Sequence, residues 1–401
     1  MMKTFPLFKQ FYVHIGRHKQ QKNNARLGRI NIFDSLSLKN LNNGRRNLQK
    51  GAKIVAVGGG TGLSTMLRGL KLYTSNLTAV VTVADDGGGS GILKKDLGMI
   101  PPGDIRNCIL ALAETEPVME QLLQYRFQEG MLKGQSFGNL FLAAMDGISS
   151  SFVEAVKRMS DVLAVTGKVL PVTTSNVLLC AELENGDIIT GESNIGRRNP
   201  DRKSRIRKVY LKPANARPLE EVLEAMYEAD AIILGPGSLY TSVMPNLVVT
   251  GINEAIKRSK AVKIYICNIM TQPGETDGYS VSEHIRAIEE HTYKGIIDYC
   301  IVNCAPIPAT LKEKYLEDGA QMVQIDFNKI RELDTIIIYN DLIDENNNFL
   351  RHDPVKLAKV VIDLIAKVSS NKGSRINHVF SGETFLQWNN PRGKGIYQSK
   401  Q

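Results

Sequence analysis

The sequence predicts an α/β protein: a doubly wound, mostly parallel sheet with an antiparallel elaboration around residues 162–212. Three observations carry this. Short apolar runs rich in β-branched residues alternate with segments of helical period from residue 53 to residue 367. Glycine-rich loops follow three of those runs, at 58–62, 85–91 and 235–238, at the carboxyl ends of strands, where open α/β sheets bind their ligands. Between 162 and 212 the helical period lapses, and strand-like runs flank Glu184-Asn185-Gly186-Asp187, a hairpin turn signal.

Taken in order, the core begins with a strand at 53–57. Leu63, Met66, Leu67 and Leu70 recur at helical spacing and place a helix near 62–72. A second strand, 78–83, runs into the acidic glycine loop Asp85 to Gly91. Pro101-Pro102-Gly103-Asp104 punctuates the chain and opens a helix through about Glu114, with Asp104 as its N-cap. Helical patterns recur near 118–128, 138–146 and 151–160. Strands at 168–173, 177–184, 187–191 and 208–212 make up the antiparallel elaboration, interrupted by a basic loop from Arg197 to Lys208. Alternation then resumes: helix 218–228, strand 231–234, glycine loop 235–240, helix 246–258, strand 262–267 and loop 268–279. Helix 280–291, strand 298–303, helix 308–318, strand 335–338 and helix 354–367 complete the pattern.

The formal charge of +9 is unevenly placed. Residues 1–50 carry +10 and residues 367–401 carry +5, leaving 51–366 at −6. The basicity belongs to the tails, so the core is not read as a nucleic-acid binder. Residues 1–50 are read as a basic, disordered extension, 51–368 as the ligand-binding domain, and 369–401 as a basic, flexible tail. Cys108, Cys180, Cys267, Cys300 and Cys304 form no CxxC pair and no cluster with histidine, which argues against a disulfide framework or a zinc site. No apolar stretch reaches the roughly 20 residues a membrane span needs.

The candidate site gathers at the glycine loops. Glycine lets main-chain N–H groups approach a phosphate, and the following helix adds its positive end. Gly59, Gly60, Thr61 and Gly62, with Gly235, Gly237 and Ser238, are therefore candidate phosphate or ribose contacts. The first loop fits neither GxGxxG, since residue 63 is leucine, nor a P-loop. Asp85 and Asp86 end a strand, where a carboxylate pair can bind Mg²⁺, accept from sugar hydroxyls or act as a base. An Asx turn is the simpler alternative. Asp104 and Asn107 share one side of a first helical turn, and Asn139 stands near a helix start; ligand contact and helix capping remain open for each. No HExxH motif is present.

The motifs VAVGGGTGLS (55–64), VTVADDGGGSG (81–91), PPGDIRN (101–107), YRFQEG (125–130), GQSFGNL (134–140), LGPGSLYTSVMPNL (234–247), MTQPGETDGY (270–279) and LRHDPVKLA (350–358) together resemble the gluconeogenesis-factor (YvcK) branch of the CofD-like family. The resemblance covers roughly 53–366. It implies a Rossmann-like fold and a cytoplasmic protein that binds UDP-sugars, notably UDP-N-acetylglucosamine. It also implies a role in cell shape and envelope-precursor supply on gluconeogenic carbon sources, with a protein partner in envelope synthesis or its regulation. Tyr315 and Arg351 enter the ligand site on the same ground, as a stacking or capping group and a diphosphate clamp. The CofD branch implies the alternative of a Mg²⁺-dependent nucleotide-linked transferase. Without an evident base or nucleophile, a non-catalytic sensor is the favoured reading; no cofactor is assigned to it, and a homo-oligomer is compatible with it.

Overall fold

The computed structural model describes residues 51–197, 204–344 and 349–370. The readings of a basic extension at 1–50 and of most of the C-terminal tail, and the centre of the basic loop at 198–203, lie outside the described residues.

Ten strands are described: β1 (Ile54–Gly58), β2 (Leu77–Val81), β3 (Lys168–Pro171), β4 (Leu178–Leu183), β5 (Ile188–Thr190), β6 (Ile206–Lys212), β7 (Ala231–Leu234), β8 (Val262–Ile266), β9 (Tyr299–Asn303) and β10 (Ile336–Asn340). Seven form one sheet in the order β10-β9-β8-β7-β1-β2-β3, every neighbouring pair parallel. All residues of β1 and β7 are buried, as central strands covered on both faces require. The chain winds from β1 outward to β3, then returns to β7 on the other side of β1. That reversal puts the topological switch point between β1 and β7, with Val57 opposite Leu234.

The doubly wound parallel sheet with an antiparallel addition is as the sequence predicts, but the addition is smaller. Residues 168–171 are not part of it; Lys168–Pro171 pairs parallel with β2 as an edge strand. Strand propensity says nothing about direction. The helix Phe152–Val162 before it supplies a crossover, and a crossover returns the chain parallel. The antiparallel sheet itself is three-stranded, β5-β4-β6.

Two further corrections concern helices. The acidic glycine segment is not wholly a loop, since a helix runs from Gly88 to Leu97. Gly88, Gly89 and Gly91 in its first turn conceal it, because glycine is a poor helix former. The single helix expected at 246–258 is broken. A π-helical turn, Leu239–Val243, leads into Met244–Leu247, and Ile252–Arg258 starts afresh after Gly251, whose φ is +104°.

The antiparallel sheet is clipped to the core by polar contacts. Asp86 Oδ1 accepts the Ser193 amide at 2.9 Å, just beyond β5. Arg205 pairs with Glu283 at 3.0 Å. The Val209 amide donates to His291 Nε2 at 3.0 Å. His291 can accept there because burial holds its pKa below the usual imidazole value, keeping the ring neutral.

Candidate functional site

β1 and β7 deliver their loops side by side, and the helix Gly60–Leu70 starts in the gap with its positive end facing the crevice. The loops approach so closely that side chains are excluded. A Cβ on Gly62 would stand 2.5 Å from the Pro236 carbonyl oxygen. One on Gly59 would stand 2.5 Å from Asp104 Oδ2 and 2.6 Å from Thr82 Cγ2. Glycine at 62 lets the first turn of the helix after β1 touch the loop after β7; glycine at 59 lets a carboxylate lie against the main chain.

The cavity over these tips measures about 290 Å³ and is lined by Gly59, Gly60, Thr61, Gly62, Thr82, Asp85, Asp104, Glu192, Gly237, Ser238, Thr241 and Ser242. A groove of about 380 Å³ shares Thr61, Gly62, Gly237 and Ser238 with it, and continues along Asn268–Pro273 to Tyr315, Leu350, Arg351 and His352.

The third loop is held from beneath. Asn268 and Gly237 exchange two hydrogen bonds, amide to Oδ1 at 3.3 Å and Nδ2 to carbonyl at 2.8 Å. Ser238 Oγ donates to Gln272 Oε1. The buried Glu275 accepts from the Tyr240 amide at 3.2 Å, Thr241 Oγ1 at 3.0 Å and Gln272 Nε2 at 2.5 Å. These bonds anchor the irregular turn at 238–243, whose sequence carries no regular helical pattern to fix it.

The acids differ in surroundings. Asp85 Oδ1 accepts the Gly87 amide at 2.9 Å, so an Asx turn and a cavity-lining position coexist in one residue. Burial raises its pKa, opposed by the Gly87 amide and the Ser90 hydroxyl. Burial pushes Asp104 up to about 6, helped by Asp85 and opposed by the Gly60 amide and Arg106. Burial pushes Glu192 up to about 8, with Asp85, Glu275, Asp104 and Asp86 all adding to the effect.

Of the sequence candidates, Gly59, Gly60, Thr61, Gly62, Asp85, Asp104, Gly237 and Ser238 meet in the cavity, and Tyr315 and Arg351 line the groove. Asp86 lines neither; it caps the Ser193 amide. Asn139 is buried beside Ser90, donating to its hydroxyl at 3.5 Å, so it reaches the cavity only through Ser90 and Asp85. Gly235 continues the strand, its amide bonded to the Val57 carbonyl at 2.9 Å. Asn107 lines neither space. Tyr315 does more than line the wall: its hydroxyl accepts the Leu350 amide at 3.0 Å, fixing the segment that bears the exposed Arg351.

Sequence reasoning missed Glu192, Thr82, Thr241, Ser242, Asn268 and Gln272. Only position relative to strand ends marks most of them. Thr82 follows β2, and Asn268 lies just past β8, each one strand from β1 or β7. Glu192 had no signal, because it comes from the antiparallel addition.

Among the described residues, no group of three or more His, Cys, Asp or Glu side chains is arranged to hold a metal ion. Asp85 and Asp104 offer hard oxygen donors suited to Mg²⁺, but an ion there would draw most of its shell from a bound diphosphate and water.

Residues 54–343 match the family described as 2-phospho-L-lactate transferase CofD. A Clostridium acetobutylicum protein is 58% identical over 339 residues, covering 84% of this chain and 75% of that one. The gluconeogenesis factor of Bacillus subtilis is 46% identical over 314 residues, covering 78% and 98%. The crystal structure of a UPF0052 family protein from Bacillus halodurans superposes with a TM-score of 0.74 at 48% identity, covering 78% of this chain and 99% of that one.

Proposed function

The chain belongs to the CofD-like family, among the gluconeogenesis factors, and on that premise we propose that it binds a UDP-sugar, UDP-N-acetylglucosamine in particular, as a non-catalytic sensor. The diphosphate rests on the main-chain amides at 59–62 and at Ser238, the Gly237 amide being held by Asn268. One organic end lies along the groove toward Tyr315 and Arg351. The observation that carries this reading is the continuity of the two spaces. A compact polar cavity walled by glycine opens directly into a longer groove with an exposed arginine, which suits a charged centre flanked by neutral groups. The bound state engages a protein partner in envelope synthesis or its regulation, linking cell shape and precursor supply to growth on gluconeogenic carbon. The shift between states is limited by the ligand's differential affinity for them.

Calorimetric titration of the full chain with UDP-N-acetylglucosamine, UDP-glucose and GDP, with and without Mg²⁺, tests the reading. Micromolar affinity, about −8 kcal/mol, is expected for the first, with no consumption of ligand. Turnover of the sugar nucleotide contradicts the sensor.

A second reading, a Mg²⁺-dependent transferase of the CofD type, draws on the acids. Carboxyls whose pKa values are driven apart, about 6 at Asp104 and about 8 at Glu192, are the kind of pair that divides base and acid roles. It requires Mg²⁺-dependent release of a nucleoside phosphate when an acceptor is supplied; silence across an acceptor panel, in protein that binds ligand, removes it.

A further inference from the structure

Asp85, Asp104 and Glu192 line the cavity assigned above to a diphosphate, and among the described residues no lysine, arginine or histidine lines it. An anion entering such a ring is repelled unless a proton or a cation compensates.

The three carboxyls are not equivalent. Asp85 accepts the Gly87 amide, and the Gly60 amide beside Asp104 acts in the same sense, each favouring the ionised form. The Glu192 side chain has no hydrogen-bond partner among the described residues. The acids around it come from three segments: Asp85 and Asp86 after β2, Asp104 on the helix Gly103–Leu112, and Glu275 on the loop before the helix Val281–His291. Of the described cations in these segments, Lys94 donates to the Val177 carbonyl at 2.9 Å, Arg106 is buried, and Arg197 is exposed. Burial and four acidic neighbours therefore favour a proton on Glu192 at neutral pH.

We propose that Glu192 contacts the diphosphate as a neutral carboxylic acid, donating a hydrogen bond to a phosphate oxygen. This rests on the reading that a nucleoside diphosphate sugar occupies the cavity. An O–H donor to an anionic oxygen is among the stronger hydrogen bonds, and the same group turns repulsive when ionised. The antiparallel addition thereby supplies a ligand contact that the parallel sheet lacks. Because the neighbouring Ser193 amide is tied to Asp86 on the core glycine segment, that contact fastens the addition at two adjacent points.

The test is titration of UDP-N-acetylglucosamine into the wild-type chain and Glu192→Gln between pH 6.5 and pH 9, each with EDTA and with Mg²⁺. Gln keeps a neutral donor and cannot ionise. Wild-type affinity should fall about tenfold between pH 7 and pH 9 as the proton is lost, while Glu192→Gln matches wild type at pH 7 and does not follow that fall. Titrations belonging to the ligand cancel in the ratio of the two proteins. Glu192→Ala, without a donor, should bind more weakly than Gln at pH 7. Parallel pH profiles for wild type and Gln overturn the proposal, as does binding that needs Mg²⁺ and strengthens as pH rises. Binding with parallel profiles leaves the UDP-sugar reading intact; absence of wild-type binding at every pH removes that reading and the Glu192 contact together.

Discussion

The cavity and the groove share four residues and are built on opposite principles. The cavity is made of main chain: strand tips from β1 and β7, brought into contact by glycines, with carboxylates pressed against them. The groove is made of side chains from segments far apart in sequence, near residues 268–273, 315–320 and 350–352. A main-chain site tolerates little, because backbone cannot move aside. A side-chain site can lose one contact and keep its shape. The first region should therefore respond to substitution in stability and binding together, the second in binding alone.

The sharpest way to break this contrast is Gly62→Val. Its Cβ would meet the Pro236 carbonyl oxygen at 2.5 Å and carbon at 2.8 Å, main-chain atoms that cannot swing aside. We expect destabilisation by about 3 kcal/mol in urea unfolding, together with loss of ligand binding. A Gly62→Val chain as stable as wild type would show that the strand tips separate easily, and the contrast would fail.

Arg351→Ala probes the other region. The side chain is exposed, so stability should not change, while UDP-N-acetylglucosamine affinity should weaken by about 1.5–3 kcal/mol through loss of a charge-assisted bond. Equal losses in unfolding and binding would mean that the groove is as constrained as the cavity.

Asp104→Asn sharpens the account of the carboxylates. The folded-state pKa of Asp104, about 6, lies above its ordinary value of 3.8, so the folded chain holds that proton more tightly than the unfolded chain. Stability from this group is fully present below pH 4 and is lost as pH rises from about 4 to about 6. Asn removes the slope and should raise stability at pH 7 by about 1–2 kcal/mol, as read from urea unfolding at pH 4 and pH 7. An unchanged slope would place the burden on Asp85 or Glu192.

Tyr315→Phe is the mildest change. It deletes the acceptor for the Leu350 amide at the groove wall and should cost about 1 kcal/mol of affinity by repositioning Arg351. In the Arg351→Ala background the effect should vanish. If it persists there, Tyr315 contacts the ligand directly.

The same division explains what the sequence discloses. Central strands announce themselves as apolar runs, and just past a strand end Gly59, Gly60 and Gly62 are required in turn by packed side chains, a φ of +66° and a neighbouring main-chain carbonyl. The parallel pairing of 168–171 was hidden because local residue preferences encode extension, not direction. The helix Gly88–Leu97 was hidden by its glycines. In the groove, Tyr315 and Arg351 were suggested only by resemblance to a family, since a lone tyrosine or arginine has no local signature. Glu192 was invisible because its role depends on where the antiparallel addition folds back, a long-range fact held by the Asp86–Ser193 contact.

A crystal structure of the full chain with UDP-N-acetylglucosamine tests the central claim most directly. The account predicts phosphate oxygens within hydrogen-bond distance of the amides of residues 59–62 and Ser238, with one end of the ligand running toward Arg351. A ligand seated elsewhere, with those glycine turns touching only protein, would contradict it.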